Sequence, residues 1–334
     1  MDSPKPSYTP ADITMPVSSQ FSEHPPRITV ILVTWNSADF LNQALDSLSV
    51  QGMPLEIIVV DHGSSDRSIE IARTYEQVRV IETGKNLGFC AGNNLGIHQA
   101  RGEYILLLNP DARLDAGYLQ KAIHVMDANP QAALFTGKVL RMDSNGVPCL
   151  KNDQAVIDTT GIQLKLNRQA IDRGQGECDA GQYNTAGPIF GVCGAVFFAR
   201  KSALDAASVD GEYFDEAFFA YKEDVDLSWR LQLLGYQALY DPAASAYHAR
   251  GWKQQGRAAV SPATRYHSFR NRRLMILKNE TIKTLLGSFF PILFFEIGAL
   301  GYALLREPFL LPAYKETRQL LPRIRHWRTI IHKK

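Results

Sequence analysis

Three short apolar runs in the first third of the chain constrain its fold most strongly. They read ITVILVTW (28–35), LEIIVVDH (55–62) and YILLLN (104–109), and they are rich in β-branched residues. Such runs are typical of strands buried on both faces of a parallel sheet. A fourth run, VRVIET (78–83), predicts one more strand, and apolar residues recur at helical spacing between the runs. The repeated strand–helix units predict an α/β protein with a doubly wound sheet.

Polar residues stand where these strands end. Thr34 and Asn36 close the first strand, Asp61 closes the second, and Asp111 follows the run at 104–109. The carboxyl ends of parallel strands share one crevice, where a carboxylate can bind a nucleotide or hold a divalent cation. Helix capping explains Asp61 or Asp111 taken singly. Together these residues favour a ligand site.

The sequence lacks the usual phosphate-binding loops. TWNSADF follows the first strand in place of G-x-G-x-x-G, and no Walker A motif occurs. This pattern argues against an NAD-dependent oxidoreductase. The glycines of KNLGFCAGNNLG (85–96) follow the third strand and do not form the dinucleotide fingerprint. A diphosphate would more naturally be neutralised by a metal ion held by Asp111.

The later part of the chain contains one acidic helix start. FDEAFFAYKEDVDLSWRLQLLGY (214–236) places Glu223, Asp224 and Asp226 in the first turn of a predicted helix. Complementation of the helix dipole accounts for such residues when they occur alone. The polar stretch 143–187 has no periodic pattern, so no elements are assigned there.

Six segments occur in an order that resembles a known family. They are VTWNSADFLNQALDSL, IIVVDHGSSDRS, NLGFCAGNNLGI, YILLLNPDA, the acidic segment 214–236 and YHARG. The order resembles family 2 glycosyltransferases of GT-A fold, especially the rhamnosyltransferase-like branch that builds bacterial polysaccharides. The resemblance covers 28–279. It implies a doubly wound, mixed but mostly parallel sheet with helices on both faces, followed here by C-terminal amphipathic and apolar helices.

The resemblance also implies roles for individual residues. Asp111 corresponds to the metal-binding acid of the DXD element, and His248 to a histidine that in some members reaches the metal or diphosphate. Asp224 corresponds to the general base, with Glu223 as the other member of the acidic pair. His62 and Cys90 depart from the family pattern and leave the donor open. The residues expected to bind the donor nucleotide are Thr34, Asn36, Asp61, Asn86, Gly88, Asn94 and Asn109.

The remaining chain predicts a leader and a membrane-associating tail. Residues 1–26 are rich in Pro and Ser without the apolar core of a signal peptide, so we expect a flexible leader and a cytoplasmic protein. The transferase domain is expected at 27–250. Residues 251–334 are expected to associate with a membrane, because a basic segment precedes the apolar segment 284–305.

The apolar segment favours a helix lying in a membrane interface over a spanning helix. Pro291 and Glu296 interrupt it, and a central glutamate is costly within a bilayer. A homodimer interface or a tail packed on the main domain is the alternative. The basic residues expected to face anionic lipid are Arg270, Arg272, Arg273, Lys278 and Lys283.

The resemblance implies an inverting glycosyltransferase, and together with the features above it leads us to expect dependence on Mg²⁺ or Mn²⁺ and peripheral attachment to the inner membrane. By resemblance the favoured donor is dTDP-rhamnose, with UDP-sugars left open, and the acceptor is a lipid-linked or polysaccharide glycan. A net charge of +2 gives no support for a nucleic-acid partner, and four cysteines without a CxxC pair give none for zinc. The alternatives are a polyprenyl-phosphate sugar synthase and a non-catalytic nucleotide-sugar-binding scaffold.

Overall fold

The computed structural model describes residues 26–250, 257 and 260–334. All but the last residue of the predicted leader therefore lies outside the described residues. The strands are β1 Ile28–Thr34, β2 Leu55–Asp61, β3 Val78–Glu82, β4 Tyr104–Leu108, β5 Ala112–Leu114, β6 Ala132–Arg141, β7 Leu150–Lys151, β8 Gln154–Ala155, β9 Ile157–Thr159, β10 Ile162–Leu164, β11 Ala170–Asp172, β12 Gly187–Ile189, β13 Val196–Arg200 and β14 Gln237–His248. The helices are α1 Ala38–Ser49, α2 Ser68–Arg73, α3 Phe89–Gln99, α4 Tyr118–Ala128, α5 Lys201–Ala207, α6 Glu223–Leu233, α7 Pro262–Asn279, α8 Ile282–Leu305, α9 Pro312–Gln319 and α10 Leu321–Ile331.

The central sheet is mixed, and its amino-terminal part is parallel. The strand order is β12-β14-β6-β13-β4-β1-β2-β3. β1 pairs in parallel with β2 and β4, and β2 pairs in parallel with β3. β13 runs antiparallel between β4 and β6, and β14 is parallel to β6. The predicted α/β class with a mixed, mostly parallel sheet is confirmed.

Two apolar cores cover the two faces of the sheet, because side chains alternate along each strand. In β1, Ile31 joins the core that contains α3, α5 and α6. Val30 and Leu32 join the other core, with α1 and α4. The predicted arrangement of helices on both faces is therefore confirmed.

The polar stretch 143–187 forms short antiparallel pairs. β7 pairs with β8, β10 pairs with β11, and β9 extends the main sheet along β6. Each of these strands has only two or three residues, too few for an alternating pattern to mark it in the sequence. This segment contributes Asp158 and Asp172 to the candidate site.

The basic residues of α7 lie inside the protein, which makes their predicted role in binding lipid wrong. Arg270, Arg272, Arg273 and Lys278 are buried. Their partners are acidic residues: Arg270 pairs with Glu316, Arg272 and Arg273 pair with Glu296, and Lys278 pairs with Asp215 and Asp226. Buried arginine and lysine need such partners. These contacts join α7 to α6 and to the helices that follow it.

Helix α8 is the apolar segment that the sequence predicts, and most of it is exposed. By length and composition alone it is the one helix in the described part of the chain that could cross a membrane, and only 11% of its apolar window is buried. Exposed side chains include Phe290, Phe294 and Ile297. An exposed apolar surface of this extent indicates an interaction surface.

Candidate active site

The first part of the site is the edge where β1 and β2 end. Thr34 and Asp61 are level in the sheet register, and both are fully buried. The Thr34 hydroxyl donates to Asp61 Oδ2 at 2.9 Å, while Ser64 donates its backbone N–H and its hydroxyl to the same carboxylate at 2.8 and 2.6 Å. Both oxygens of Asp61 thus shape the turn after β2. Contact of Thr34 or Asp61 with a donor nucleotide stays a prediction.

Asn36 is the exposed member of this edge. Its φ of 51° is left-handed, a conformation that asparagine tolerates better than most residues. Its backbone N–H donates to the Ser64 hydroxyl at 2.9 Å, and its Oδ1 accepts the Ser65 N–H at 2.8 Å. Of the predicted residues at the ends of β1 and β2, Asn36 is the most accessible to a ligand.

The loop before α3 is fastened to the segment that precedes the acidic pair. Asn86 Oδ1 accepts the Gly88 N–H at 2.9 Å. Gly88 has a φ of +86°, and a Cβ added there would lie 2.4 Å from the Phe219 ring. Glycine therefore permits both the backbone conformation and the approach of that ring. In addition, the Cys90 N–H donates to the Phe219 carbonyl at 3.1 Å.

Asn94 and His62, in the same region, are buried and contact other parts of the protein. The Asn94 amide donates to the Phe214 carbonyl and accepts the Phe214 N–H, both at 2.8 Å. The Asn94 side chain is thus hydrogen-bonded to the protein backbone, and its donor-binding role stays a prediction. His62 is buried against Gly92, and burial lowers its pKa. Its Nε2 has no hydrogen-bond partner among the described residues.

The predicted metal residues Asp111 and His248 are in direct contact. His248 Nε2 lies 3.2 Å from Asp111 Oδ1, and its Nδ1 lies 2.9 Å from Asp158 Oδ2. Arg250 continues the chain of charges, at 2.7 Å from Asp158 and 2.5 Å from Asp172. β14 pairs with β5, which begins immediately after Asp111, and His248 is level with Ala112 in that pairing. This pairing places His248 beside Asp111. The sheet thereby orders five charged side chains in one row.

The protonation of His248 depends on its two carboxylates. Burial alone would lower the pKa of His248, but Asp111 and Asp158 outweigh it and raise the pKa to about 9. Burial would likewise raise the pKa of Asp111, but the His248 cation outweighs it and lowers that pKa. Release of a proton from His248 would leave its Nε2 and the Asp111 carboxylate available to bind a cation.

The donor set fits a divalent cation that takes part of its coordination from a ligand. The described residues contain no group of three or more His, Cys, Asp or Glu side chains arranged to hold a metal ion. They do contain a carboxylate oxygen and an imidazole nitrogen in contact, and Asp158 orients the imidazole from its other nitrogen. Two protein ligands leave several positions for diphosphate oxygens and water.

The acidic pair at the start of α6 consists of one buried and one accessible carboxyl group. Glu223 is buried, and its Oε2 has no hydrogen-bond partner among the described residues. Burial, reinforced by the neighbouring Asp224 charge, raises the pKa of Glu223. Asp224 accepts the Gly194 N–H at 3.1 Å and the Val225 N–H at 2.8 Å. Burial raises its pKa too, although Lys222 and these two hydrogen bonds oppose the effect.

Gly194 and Ala195 lie between the loop that carries Asp111 and the acidic pair at the start of α6. The Asn109 N–H donates to the Ala195 carbonyl at 2.9 Å, while the adjacent Gly194 N–H reaches Asp224. The loop that carries Asp111 and the start of α6 therefore flank one two-residue segment before β13. The structure thus brings the predicted metal-binding and base residues to the same region.

Three charged residues of the site were absent from the sequence prediction. Asp158 and Asp172 lie in the polar stretch 143–187, where no pattern in the sequence marks them. Arg250 lies within the YHARG segment, two residues after His248. Its nearness to a predicted metal residue could have identified it as part of the site.

A comparison with known protein families covers part of this site. The sequence model described as "Glycosyl transferase family 2" matches residues 29–206, more than half of the chain. The chain belongs to glycosyl transferase family 2. The matched segment runs from β1 to α5 and contains Thr34, Asp61 and Asp111. Asp224 and His248 lie beyond it.

Two curated proteins are similar to this chain over 72% and 65% of its length. N-acetylglucosaminyl-diphospho-decaprenol L-rhamnosyltransferase of Mycobacterium tuberculosis is 26% identical over 259 residues, covering 72% of this chain and 81% of the relative. Poly-beta-1,6-N-acetyl-D-glucosamine synthase of Staphylococcus epidermidis is 27% identical over 221 residues, covering 65% of this chain. The match spans about half, 48%, of that synthase.

Solved structures show the same fold. TarS of S. aureus, crystallised with UDP-GlcNAc, superposes with a TM-score of 0.59 at 18% identity, covering 92% of this chain and 88% of that one. GalNAc-T7, crystallised with UDP, GalNAc and Mn²⁺, gives a TM-score of 0.56 at 11% identity, covering 77% and 49%. At these identities the likeness concerns the fold alone.

Proposed function

We propose that this family 2 transferase moves a sugar from a nucleoside diphosphate donor to a hydroxyl of a lipid-linked or polysaccharide glycan, with inversion at the anomeric carbon. The single observation that carries the proposal is the placement of the Asp111–His248 pair and Asp224 on either side of Gly194–Ala195. Rhamnose from dTDP-rhamnose is the favoured donor sugar. The name of the mycobacterial relative, a rhamnosyltransferase acting on a lipid-linked N-acetylglucosamine, supports that choice.

Asp224 is assigned the role of general base. Inversion requires in-line attack, so the base must face the acceptor hydroxyl on the side opposite the leaving diphosphate. Asp224 is only partly buried, and its raised pKa makes it a better base than an ordinary aspartate. Glu223 is buried beside it and has a raised pKa, so in its protonated form it adds no second negative charge at this position. The acidic pair then keeps one ionised carboxylate, that of Asp224, to take the proton from the hydroxyl of the sugar acceptor.

Asp111 and His248 are proposed to hold Mg²⁺ or Mn²⁺ together with the donor diphosphate. When bound, such an ion supplies electrostatic stabilisation of the charge that develops on the leaving diphosphate. Asp158 holds the His248 ring by its Nδ1, which directs Nε2 towards Asp111. The Mn²⁺ found with GalNAc-T7 supports a divalent ion in this fold.

A thermal-shift panel tests the activity and the metal together. The protein is heated with dTDP-rhamnose, UDP-GlcNAc and other nucleotide sugars, with and without Mg²⁺ or Mn²⁺, since a bound ligand raises apparent stability. We expect Asp111→Ala to lose the metal-dependent shift, and Asp224→Asn to keep it but lose transfer. Asp39→Asn, an exposed aspartate in the first turn of α1, is the control.

Three outcomes would contradict parts of this proposal. The absence of a shift with any nucleotide sugar would refute donor binding. Metal-dependent binding retained in Asp111→Ala would refute the metal assignment. Transfer to a polyprenyl phosphate that survives Asp224→Asn would favour the phosphate-accepting synthase, because such an acceptor needs no base.

We also propose peripheral attachment to the cytoplasmic face of the inner membrane through α8. Both ends of α8 are held on the same body: Arg168 binds Glu280 and Ser288 near its start, and Arg265 of α7 binds Glu307 just after its end. A spanning helix would carry its two ends to opposite sides of the bilayer. The contacts therefore favour a helix that lies in the plane of the interface.

Charge supports an anionic membrane as the partner of α8. The three acidic residues after position 280 are all paired with arginines: Glu296 with Arg272, Glu307 with Arg265, and Glu316 with Arg270. Anionic lipid would therefore meet cations without opposing carboxylates. After position 280, the exposed Lys and Arg residues that form no ion pair with another described residue are Lys283, Arg306, Lys315, Arg318, Arg325, Lys333 and Lys334.

Sedimentation with phosphatidylglycerol vesicles tests the attachment. Substitution is preferable to deletion, because α9 and α10 pack on the domain. We expect Phe290→Glu with Phe294→Glu to abolish sedimentation with the vesicles, and Leu150→Glu, at an equally exposed apolar residue on β7, to leave it unchanged. Unchanged lipid binding with a lost dimer in analytical ultracentrifugation would instead identify α8 as an interface between two copies.

A further inference from the structure

A strained segment connects the donor loop to the acidic pair. Phe219, Tyr221 and Lys222 have φ values of 63°, 72° and 72°, in the left-handed region that disfavours residues with a Cβ. The segment leads directly into Glu223 and Asp224. A strained backbone persists only where surrounding contacts hold it.

One side chain of α7 makes most of those contacts. Asn271 is fully buried, and its Nδ2 lies 2.9, 2.8 and 2.8 Å from the carbonyl oxygens of Phe218, Ala220 and Tyr221, which share its two hydrogens. The remaining carbonyl, that of Phe219, accepts the Cys90 N–H. All four carbonyls from 218 to 221 are therefore bound by groups outside the segment.

The orientation of the Asn271 amide is itself determined. Its Oδ1 accepts the Arg270 Nε–H at 2.9 Å, which leaves Nδ2 facing the segment. Arg270 adds two donations from Nη2, to the carbonyls of Ala217 at 2.6 Å and Phe218 at 3.2 Å. A flipped amide would present Oδ1 to carbonyl oxygens and lose these bonds.

This arrangement determines where the Phe219 ring lies. The ring contacts Gly88 of the donor loop on one side and stacks on His267 of α7 on the other, with centroids 5.2 Å apart. Tyr221 is exposed at the same edge, and its hydroxyl accepts from the Thr264 hydroxyl at 3.1 Å. The donor loop, the acidic pair and α7 therefore meet at this segment.

We infer that Asn271 is a positioning residue for transfer, which holds the segment 218–222 so that the donor loop and Asp224 face each other across Phe219. The inference rests on the proposed function of Asp224. It also means that the transferase site requires α7, which lies beyond both the matched family segment and the expected domain boundary at residue 250.

Hydrogen exchange and kinetics on Asn271→Ala and Asn271→Asp test the inference. We expect faster amide exchange confined to residues 219–222 and Cys90, and a fall in kcat of about 100-fold, the scale of a misplacement near 1 Å. The dissociation constant for the donor should change by a smaller factor than kcat, because Asn271 reaches the donor loop only through Phe219. Asn279→Ala is the matched control: Asn279 is also fully buried on α7, but its amide donates to Asp226 and the Met275 carbonyl.

A double variant separates positioning from general stability. Lys222→Gly removes the backbone strain at one of the left-handed residues, so in the Asn271→Ala background it should restore part of the lost protection at 219–222. Exchange that rises across all of α6 and α7, as in Asn279→Ala, would overturn the inference. So would a kcat for Asn271→Ala equal to that of the wild type. If the wild-type chain transfers no sugar, the proposed function fails, while the exchange experiment still decides whether Asn271 holds the segment.

Discussion

Lys278 offers a quantitative test of how α7 is joined to the transferase domain. Its ammonium group is fully buried, 2.7 Å from Asp215 Oδ2 and 3.0 Å from Asp226 Oδ2. The rings of Phe218 and Trp327 lie 4.7 and 4.1 Å from it. Replacement by methionine keeps the volume but leaves two buried carboxylates with one cation fewer.

The expected loss in the free energy of unfolding is about 3 kcal/mol. Removing one partner of a buried ion pair typically costs about 3–5 kcal/mol. The lower end applies here because Arg323 remains 2.7 Å from Asp215, and Arg230 remains 3.0 Å from Asp226. For a domain of this size the loss corresponds to a fall in Tm of about 6–12 °C.

The loss should also depend on pH. Burial would raise the pKa of Asp215, but Lys278 and Arg323 outweigh it and lower the pKa from 3.8 to about 2, equivalent to about 2 kcal/mol. A folded-state pKa below the unfolded value gives stability that is complete above about pH 4 and is lost as the pH falls through about 2. In Lys278→Met, Asp215 loses one of the two cations that lower its pKa and becomes protonated at a higher pH, so the difference from the wild type should shrink at low pH.

Urea denaturation followed by tryptophan fluorescence at pH 7 and at pH 2.5 measures both effects. Lys201→Met is the control, because Lys201 forms a partly exposed pair with Asp205 and should lose less than about 0.5 kcal/mol. A loss below 1 kcal/mol at pH 7 for Lys278→Met, or an equal loss at both pH values, would refute the ion-pair argument.

Three further predictions follow from single contacts. Glu223→Gln should be more stable than the wild type at pH 8 and equal to it near pH 4. The raised pKa of Glu223 makes the folded wild type lose stability as the pH rises above the pKa of the unfolded state. Thermal melts between these pH values measure the difference. Gly88→Ala should weaken donor binding in thermal-shift titrations, because its Cβ would displace the Phe219 ring; unchanged binding would contradict the packing. Arg168→Lys should destabilise the attachment of α8 by about 1–3 kcal/mol, because lysine has a single nitrogen in place of the two with which Arg168 binds Glu280. Faster hydrogen exchange at residues 280–288 would show this loss.

The candidate site was only partly predictable from the sequence. Asp111 was predictable because an apolar strand ends just before it, and Asp224 because it opens a helix in a recognisable segment. Asp158, the partner of His248, lies 90 residues before it in a stretch without periodicity. Asn271 lies 53 residues after Phe218 and resembles any polar residue of a basic helix. Neither residue has a local signal, because its partner is distant in sequence.

The tail shows the same division between local pattern and tertiary contact. The sequence predicts the apolar helix with its exposed surface, but it also predicts that the arginines of the preceding basic segment face lipid. Arg272 and Arg273 instead reach Glu296 across two helices, so the interrupting glutamate serves to hold α8. Charge alone cannot tell a solvent-facing arginine from one paired across two packed helices.

By itself the sequence determined the elements that depend on neighbours along the chain: the four parallel strands, the helices between them and the apolar α8. Strand and helix periods are properties of the backbone, so they are visible in any window of the right length. Only the tertiary structure decided which charges meet, because those contacts depend on how distant segments are brought together. That is why Asp111 was visible at the end of its strand, whereas the row of charges behind it and the amide that holds the acidic segment were not.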